Sequence, residues 1–274
     1  MTFHAYCAGP LTEKLVDTEC APGAIPDPSL EHQRHIVIAF VGMNFEARIA
    51  AGPGVLVVCR NPRRNLAAVV ESAVRQGYRG VISFGVAGGL AANLRAGDWV
   101  VASTVFDAHV PHATDEAWSN NLVETIPGAN YAPILGVDAP VALPEQKREL
   151  HRTTGALAVD MESHVVARLA AAHNLAFAAV RVIIDPAHRA IPSAALLGMR
   201  NDGSTEVWPV LRELMARPSQ ITRLARLVFD AFAARTELQR VRQLLGPHFG
   251  FAAPLQHRNG ADRSSQHESL ILAR

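Results

Sequence analysis

The sequence predicts an α/β fold, with a largely parallel sheet covered by helices on both faces. Three observations carry this. Short apolar strand-like runs alternate with helical patterns from residue 35 onward. With 274 residues and 49% hydrophobic content, the chain can bury one large core. Finally, Ala158-Val-Asp-Met-Glu-Ser163 and Val180-Arg-Val-Ile-Ile-Asp185 flank the Ala-rich helical spacing of Ser163 to Asn174, a β-α-β pattern. Both runs end in a carboxylate. A right-handed crossover would carry the two strands in one direction, so Glu162 and Asp185 are expected at one carboxyl edge, where open α/β folds place their clefts.

The elements follow in order. Residues 1–34 hold Pro10, Pro22, Pro26 and Pro28 without sustained periodicity and are read as an N-terminal extension, flexible by composition. A domain is expected over 35–246. Its first strand, His35–Val41, runs into Gly42-Met43 and a short helical pattern carrying Glu46. A second strand, Gly54–Cys59, meets the Asn61-Pro62 turn signal before a helix over Asn65–Arg75. The third strand, Gly80–Phe84, opens a glycine-rich loop, Gly85-Val-Ala-Gly-Gly89. Arg95-Ala-Gly-Asp98 then turns into the strand Trp99–Ala102. From Ser103 to Pro144 the pattern breaks into loops, which over a rigid sheet are common binding positions. Ser204–Leu245 reads as two helices broken near Pro218. Residues 247–274, with Asn259-Gly260 and a charged, serine-bearing run, are read as a flexible tail.

Composition limits the function classes. The balance of 26 basic against 25 acidic residues gives a net charge of +1, so no global field draws nucleic acid. Cys7, Cys20 and Cys59 lack metal or redox spacing, which fits a reducing compartment. No apolar run approaches the roughly 20 residues of a membrane span, and the chain reads as a cytoplasmic protein.

The candidate chemistry lies in carboxylates. Glu46, Glu162 and Asp185 all fall at carboxyl ends of expected strands, though each has an ordinary alternative: a helix-dipole or capping role for the glutamates, a pre-proline turn for Asp185. The glycines of 85–89 suit close backbone approach to a ligand or simply a tight turn. Neither the dinucleotide fingerprint nor a phosphate-loop motif is present. Asp107, His109, His112 and Asp115 include metal-ligating residue types, but Pro111 breaks any helix that would align them, so no metal is expected. Ile221, Leu224, Val228 and Phe232 form a helical stripe, with Arg223, Arg226, Arg235, Arg240 and Arg242 elsewhere on that helix. Packing of the stripe on the sheet is the expectation, with contact to a membrane surface as the alternative.

Taken together, Phe84-Gly-Val-Ala-Gly-Gly-Leu90, Leu94-Arg-Ala-Gly-Asp-Trp-Val-Val101, Val159-Asp-Met-Glu-Ser163 and Val180-Arg-Val-Ile-Ile-Asp185 resemble the nucleoside phosphorylase and nucleosidase superfamily in order and spacing. The resemblance spans about residues 35–235 and is closest to the nucleosidases of methylthioadenosine and S-adenosylhomocysteine. Within it, Phe84-Gly-Val-Ala-Gly-Gly and Gly136-Val-Asp-Ala-Pro-Val141 look most like the hopanoid-associated branch, which acts on adenosylhopane. This implies a single-domain three-layer αβα fold with a mixed central sheet, a homodimer or larger homo-oligomer, and no cofactor. It also implies roles: Asp185 as the acid that protonates the leaving purine, Glu162 as the ribose clamp, Met161 packing under the sugar, and Glu46 activating water. Val86, Ala87 and Gly88 correspond to the substrate-binding backbone, with His188 as a weaker ligand candidate.

Two departures from the pattern stand out. Val86 replaces a hydroxyl residue, and Ile184 replaces the serine beside the acid, so the pocket is expected to be more apolar, as a lipid-linked nucleoside would suit. Water is favoured over inorganic phosphate as nucleophile, since the Glu46 position is negative and Val86 offers no hydroxyl. Phosphate needs cationic or hydroxyl donors, for which Arg48 and Arg63 are the candidates.

Overall fold

A computed structural model describes residues 37–60, 65–193, 195 and 221–252. The chain divides into two units, Met1–Gln33 and Arg34–Arg274, and every described residue belongs to the second. The proposed extension, Asn61-Pro62, Arg63, the break near Pro218 and the tail from 253 onward lie outside the described residues.

Among the described residues, eight strands form one sheet: β1 (Val37–Val41), β2 (Val55–Cys59), β3 (Gly80–Gly89), β4 (Trp99–Asp107), β5 (Val110–Ala113), β6 (Asn130–Gly136), β7 (Ala158–Asp160) and β8 (Ala176–Asp185). Interleaved with them are α1 (Asn44–Ala50), α2 (Leu66–Arg75), α3 (Glu116–Thr125), α4 (Pro144–Thr154) and α5 (Ser163–Ala172), with α6 (Ile221–Leu244) following. Asn65 accepts a hydrogen bond from the Ala68 amide to start α2, and Asp115 does the same with Trp118 for α3.

The sheet is mixed, as the resemblance implied. β1 pairs in parallel with β2 and β3, and β3 with β8, whereas β3 is antiparallel to β7 and β4 is antiparallel to both β5 and β8. Since β4–β6 and β6–β7 also pair, β3, β7, β6, β4 and β8 close into a ring. Apolar clusters pack against the sheet from two sets of helices. Val70 and Ala73 of α2 join Val166, Ala167 and Ala170 of α5 in one cluster. Ala50 of α1, Leu122 of α3 and Ala234, Leu238 and Val241 of α6 join the other.

The structure corrects several expectations. β7 runs antiparallel to β3, while β8 runs parallel to it, so β7 and β8 are not the two parallel strands of one crossover. Their carboxylates therefore converge on β3 from opposite strand directions rather than from one edge. The glycine-rich segment is not a loop, because β3 continues to Gly89, paired with β8 as far as Gly88 across an irregularity at Ala87/Gly88 and with β7 at Gly88 and Gly89. Nor is 103–144 mainly loop: it contains the end of β4, then β5, α3 and β6. Pro133 disguised β6, since a proline reads as a strand breaker. The fold accommodates it with an irregularity in the β4 register between Ala102 and Val105.

On α6 the expected apolar stripe faces the wrong way. Val228 is 45% and Phe232 64% exposed, whereas Ala234, Leu238 and Val241 are buried, with Leu245 just beyond the helix. The start of the expected tail is also core: Phe249 is fully buried and stacks edge-on against Phe84, and Trp118 donates its indole N–H to the Phe249 carbonyl. The packed domain therefore runs at least to 252.

Candidate active site

β3 carries the site along its second half. Gly85 permits close approach, for a Cβ there would lie 2.3 Å from Glu46 Oε1 and 2.7 Å from Arg181 Nη1. Gly42, just after β1, does the same for Glu162, whose Oε1 would stand 2.8 Å from an added Cβ. Gly88 is the register partner of Asp185 in β8.

Glu46 is buried and held by backbone. Its Oε2 accepts from the amides of Gly42 and Met43, each at 2.8 Å, and its Oε1 accepts from the Val86 amide at 2.7 Å. Three of about four lone-pair sites are thus used, leaving one for a ligand or water. Burial pushes its pKa up to about 7, against the pull of Arg181 and with help from Glu162.

Glu162 follows β7 at the N-cap position of α5, where its side chain makes no capping hydrogen bond. Burial raises its pKa, opposed by Arg181, and Asp160 adds to the rise. Arg60 Nη1 lies 3.5 Å from Oε1 and Arg181 Nη2 lies 3.7 Å from Oε2. Arg181, fully buried within β8, organises this half of the site. Its Nε is 2.5 Å from Asp160 Oδ2, and its Nη2 donates to Ser83 Oγ at 2.5 Å and Ser163 Oγ at 3.2 Å. Burial disfavours its charge, but Asp160, Glu162 and Glu46 outweigh that and raise its pKa. Nη1 has no hydrogen-bond partner and is buried.

Asp185 closes β8 at 6% exposure. Its Oδ2 accepts a 2.5 Å hydrogen bond from the ammonium of Lys147, which is fully buried. Burial pushes the carboxyl up to about 6 even though Lys147 pulls it down. One group is thereby kept partly protonated near neutrality, as a general acid requires. Glu46 and Arg181 thus lie beside Gly85, Asp185 beside Gly88 and Glu162 beside Gly42, with neutral backbone donors on Glu46 and a cation on Asp185.

A sequence model of the phosphorylase superfamily matches residues 12–207. The chain belongs to that superfamily. This makes it an enzyme of the nucleosidase or nucleoside phosphorylase kind. No curated protein matches it significantly. Among solved structures, futalosine hydrolase of Helicobacter pylori strain 26695 is similar, at 16% identity over 78% of this chain and 97% of that one, with TM-score 0.54. The 5′-methylthioadenosine/S-adenosylhomocysteine nucleosidase from Neisseria meningitidis, in complex with methylthio-immucillin-A, is similar at 14% identity over 77% and 98%, again with TM-score 0.54. At such identities the likeness is one of fold.

In this superfamily member the other residues singled out by sequence fall as follows. Met161 lies in the bend between β7 and α5, partly buried. Ala87 belongs to one core cluster, and Val86 and Ile184 pack against the other, so what Val86 gives the site is its amide. His188 and Arg48 are exposed. Asp107 ion-pairs with Arg168, and Asp115 is spent on capping α3. A cavity of about 340 Å³ lined by His112, Asp115, Ala167 and Phe177 touches none of the three carboxylates.

Sequence reasoning gave no role to Arg60, Asp160, Arg181 or Lys147. Arg181 had a signal, since a lone charge inside the apolar run Val180–Ile184 must find a partner if that strand is buried. Lys147 had none: it sits in the polar segment Pro144-Glu-Gln-Lys-Arg-Glu149, which reads as solvent-facing.

Proposed function

We propose that the chain hydrolyses the N-glycosidic bond of an adenosine-type nucleoside, with adenosylhopane as substrate and adenine and ribosylhopane as products. Asp185 gives its proton to the purine as the base departs. Glu162 holds the ribose hydroxyls and offsets the positive charge that develops on the sugar, with Met161 beneath it. Glu46 draws a proton from water through its remaining lone pair. Cleavage of this kind makes a basic leaving group and an oxocarbenium-like sugar together, so acid and carboxylate are wanted at opposite ends of the bond.

The observation that carries the reading is the pair of environments on β3: a buried acid near Gly88 with a raised pKa of about 6, and a second near Gly85 at about 7. Water is favoured over phosphate because the cations beside the site, Arg60 and Arg181, already face Glu162 and Asp160. Adenine release from methylthioadenosine, S-adenosylhomocysteine and an adenosyl lipid, each with and without phosphate, tests it. Preference for the lipid without phosphate is expected. A strict phosphate requirement would make the chain a phosphorylase, and no release from any substrate would make it a binding protein.

The reading includes a homo-oligomer, checked by size-exclusion with light scattering, and contact of α6 with a membrane surface. Supporting the latter, Phe229 and Phe232 are 74% and 64% exposed on the helix that carries exposed Arg226 and Arg235. Absence of sedimentation with anionic liposomes at low salt would remove the membrane contact.

A further inference from the structure

Lys147 is the buried residue of an otherwise polar helix. Around it on α4, Arg148 and Arg152 form surface ion pairs with Glu145 and Glu149. Its ammonium, by contrast, reaches Asp185 Oδ2 at 2.5 Å and the backbone carbonyls of Asp185, Pro186 and Arg189, each at 3.2 Å. Four acceptors around three N–H donors, with no solvent exposure, is an arrangement a lysine tolerates only when its charge is answered locally. All four acceptors come from one stretch, the end of β8 and the turn after it. The Arg189 side chain, in turn, ion-pairs with Asp230 of α6.

We propose that Lys147 is a positioning residue for the acid: its ammonium fixes Oδ2 of Asp185, leaves Oδ1 to carry and deliver the proton, and holds the 186–189 turn in place. The inference rests on the reading of Asp185 as the acid. When Asp185–COOH gives its proton to the departing base, the carboxylate left behind is formed against a cation already in contact, with no reorganisation required. The neighbouring strands bring no charge at this register: Gly88, the partner of Asp185 on β3, has no side chain, and Val159, paired with Gly88 from β7, is apolar. From the turn, the charge-bearing Arg189 side chain is engaged with Asp230, and only backbone carbonyls face the ammonium. The ammonium also restrains the burial-driven rise of the Asp185 pKa.

A merely structural lysine would not move the pH profile, so that profile is the readout. In Lys147→Met, kcat for adenine release is expected to fall about 10- to 100-fold with KM within about threefold, and the alkaline limb to move up by about one pH unit or more, because burial alone would then set the acid. Lys147→Arg keeps the charge but not the four-way geometry. It should leave the limb in place and lower kcat by about three- to tenfold.

Asp185→Asn separates the two levels of the argument. If that variant stays active, the acid is misassigned. If it is inactive while folded Lys147→Met keeps the wild-type kcat and limb, the lysine proposal alone falls. Should Lys147→Met fail to fold, wild-type kcat in Lys147→Arg would overturn the proposal equally.

Discussion

Glu46 of α1 and Asp185 of β8 are both buried acids beside one stretch of β3, yet they are held by different chemistry. Three neutral amides hold Glu46, at 2.7 to 2.8 Å, and Arg181 acts on it without direct ion-pair contact. A full ammonium at 2.5 Å holds Asp185. Burial dominates in both and raises both by a similar amount, Glu46 from 4.5 to about 7 and Asp185 from 3.8 to about 6, so the cations near each only partly offset it. Amides set orientation and leave the charge open, whereas a cation sets both. The difference fits the proposed mechanism, in which one group takes a proton beside Gly85 and the other gives one beside Gly88.

That division can be broken from either end. The largest effect is expected from Asp185→Asn, which keeps the shape of the acid and removes its proton: adenine release should drop about 10²- to 10⁴-fold with little change in the far-UV circular dichroism. Near-normal turnover would erase the distinction between the two acids.

Glu46→Gln should cost about 10²-fold or more in kcat and abolish the acid limb of the pH profile. In the unmodified protein, that profile should peak between about 6 and about 7, the values of the two acids. A linked stability effect has a definite sign. The folded protein keeps the Glu46 proton up to about 7, while the unfolded chain releases it near 4.5, so this contribution is present below 4.5 and is lost as pH rises to about 7. The fall in Tm across that window should be shallower in Glu46→Gln, and an unchanged slope would mean that Glu46 is not protonated when folded.

Gly85→Ala probes the amide-held end by sterics alone. The added carbon has no room beside Glu46 and Arg181, and a stability loss of about 1–3 kcal/mol with about tenfold lower activity is expected by denaturation and steady-state assay. The smallest effect belongs to Arg60→Ala. Its 3.5 Å pair with Glu162 is partly exposed, so KM should rise no more than about fivefold and Tm should hardly move.

Legibility in the sequence differed between the two ends as well. The carboxylates Glu46, Glu162 and Asp185 and the glycines of 85–89 were visible because each falls at a strand end or inside a short motif, where local pattern carries information. Met161 came with its motif. The roles of the cations were not visible: Arg181 is inside a strand whose burial had first to be known, and Lys147 lies 38 residues from the acid it touches. The ordinary expectation for α6 failed for a related reason. Two apolar stripes fit its periodicity, and only packing chose Ala234, Leu238 and Val241 over Val228 and Phe232.

The sequence by itself determined the strand–helix alternation around β1 to β3 and β7 to β8 and the positions of three candidate acids, because those depend on periodicity and on residues close along the chain. Tertiary structure alone decided the rest. It reversed β7 against β3, closed the ring through β8, and turned the glycine-rich segment into a strand with Glu46 and Asp185 along its length. It also brought a lysine from a polar helix into the core beside Asp185. Strand direction and buried charge pairing are set by contacts between residues far apart in sequence, and no local pattern encodes them.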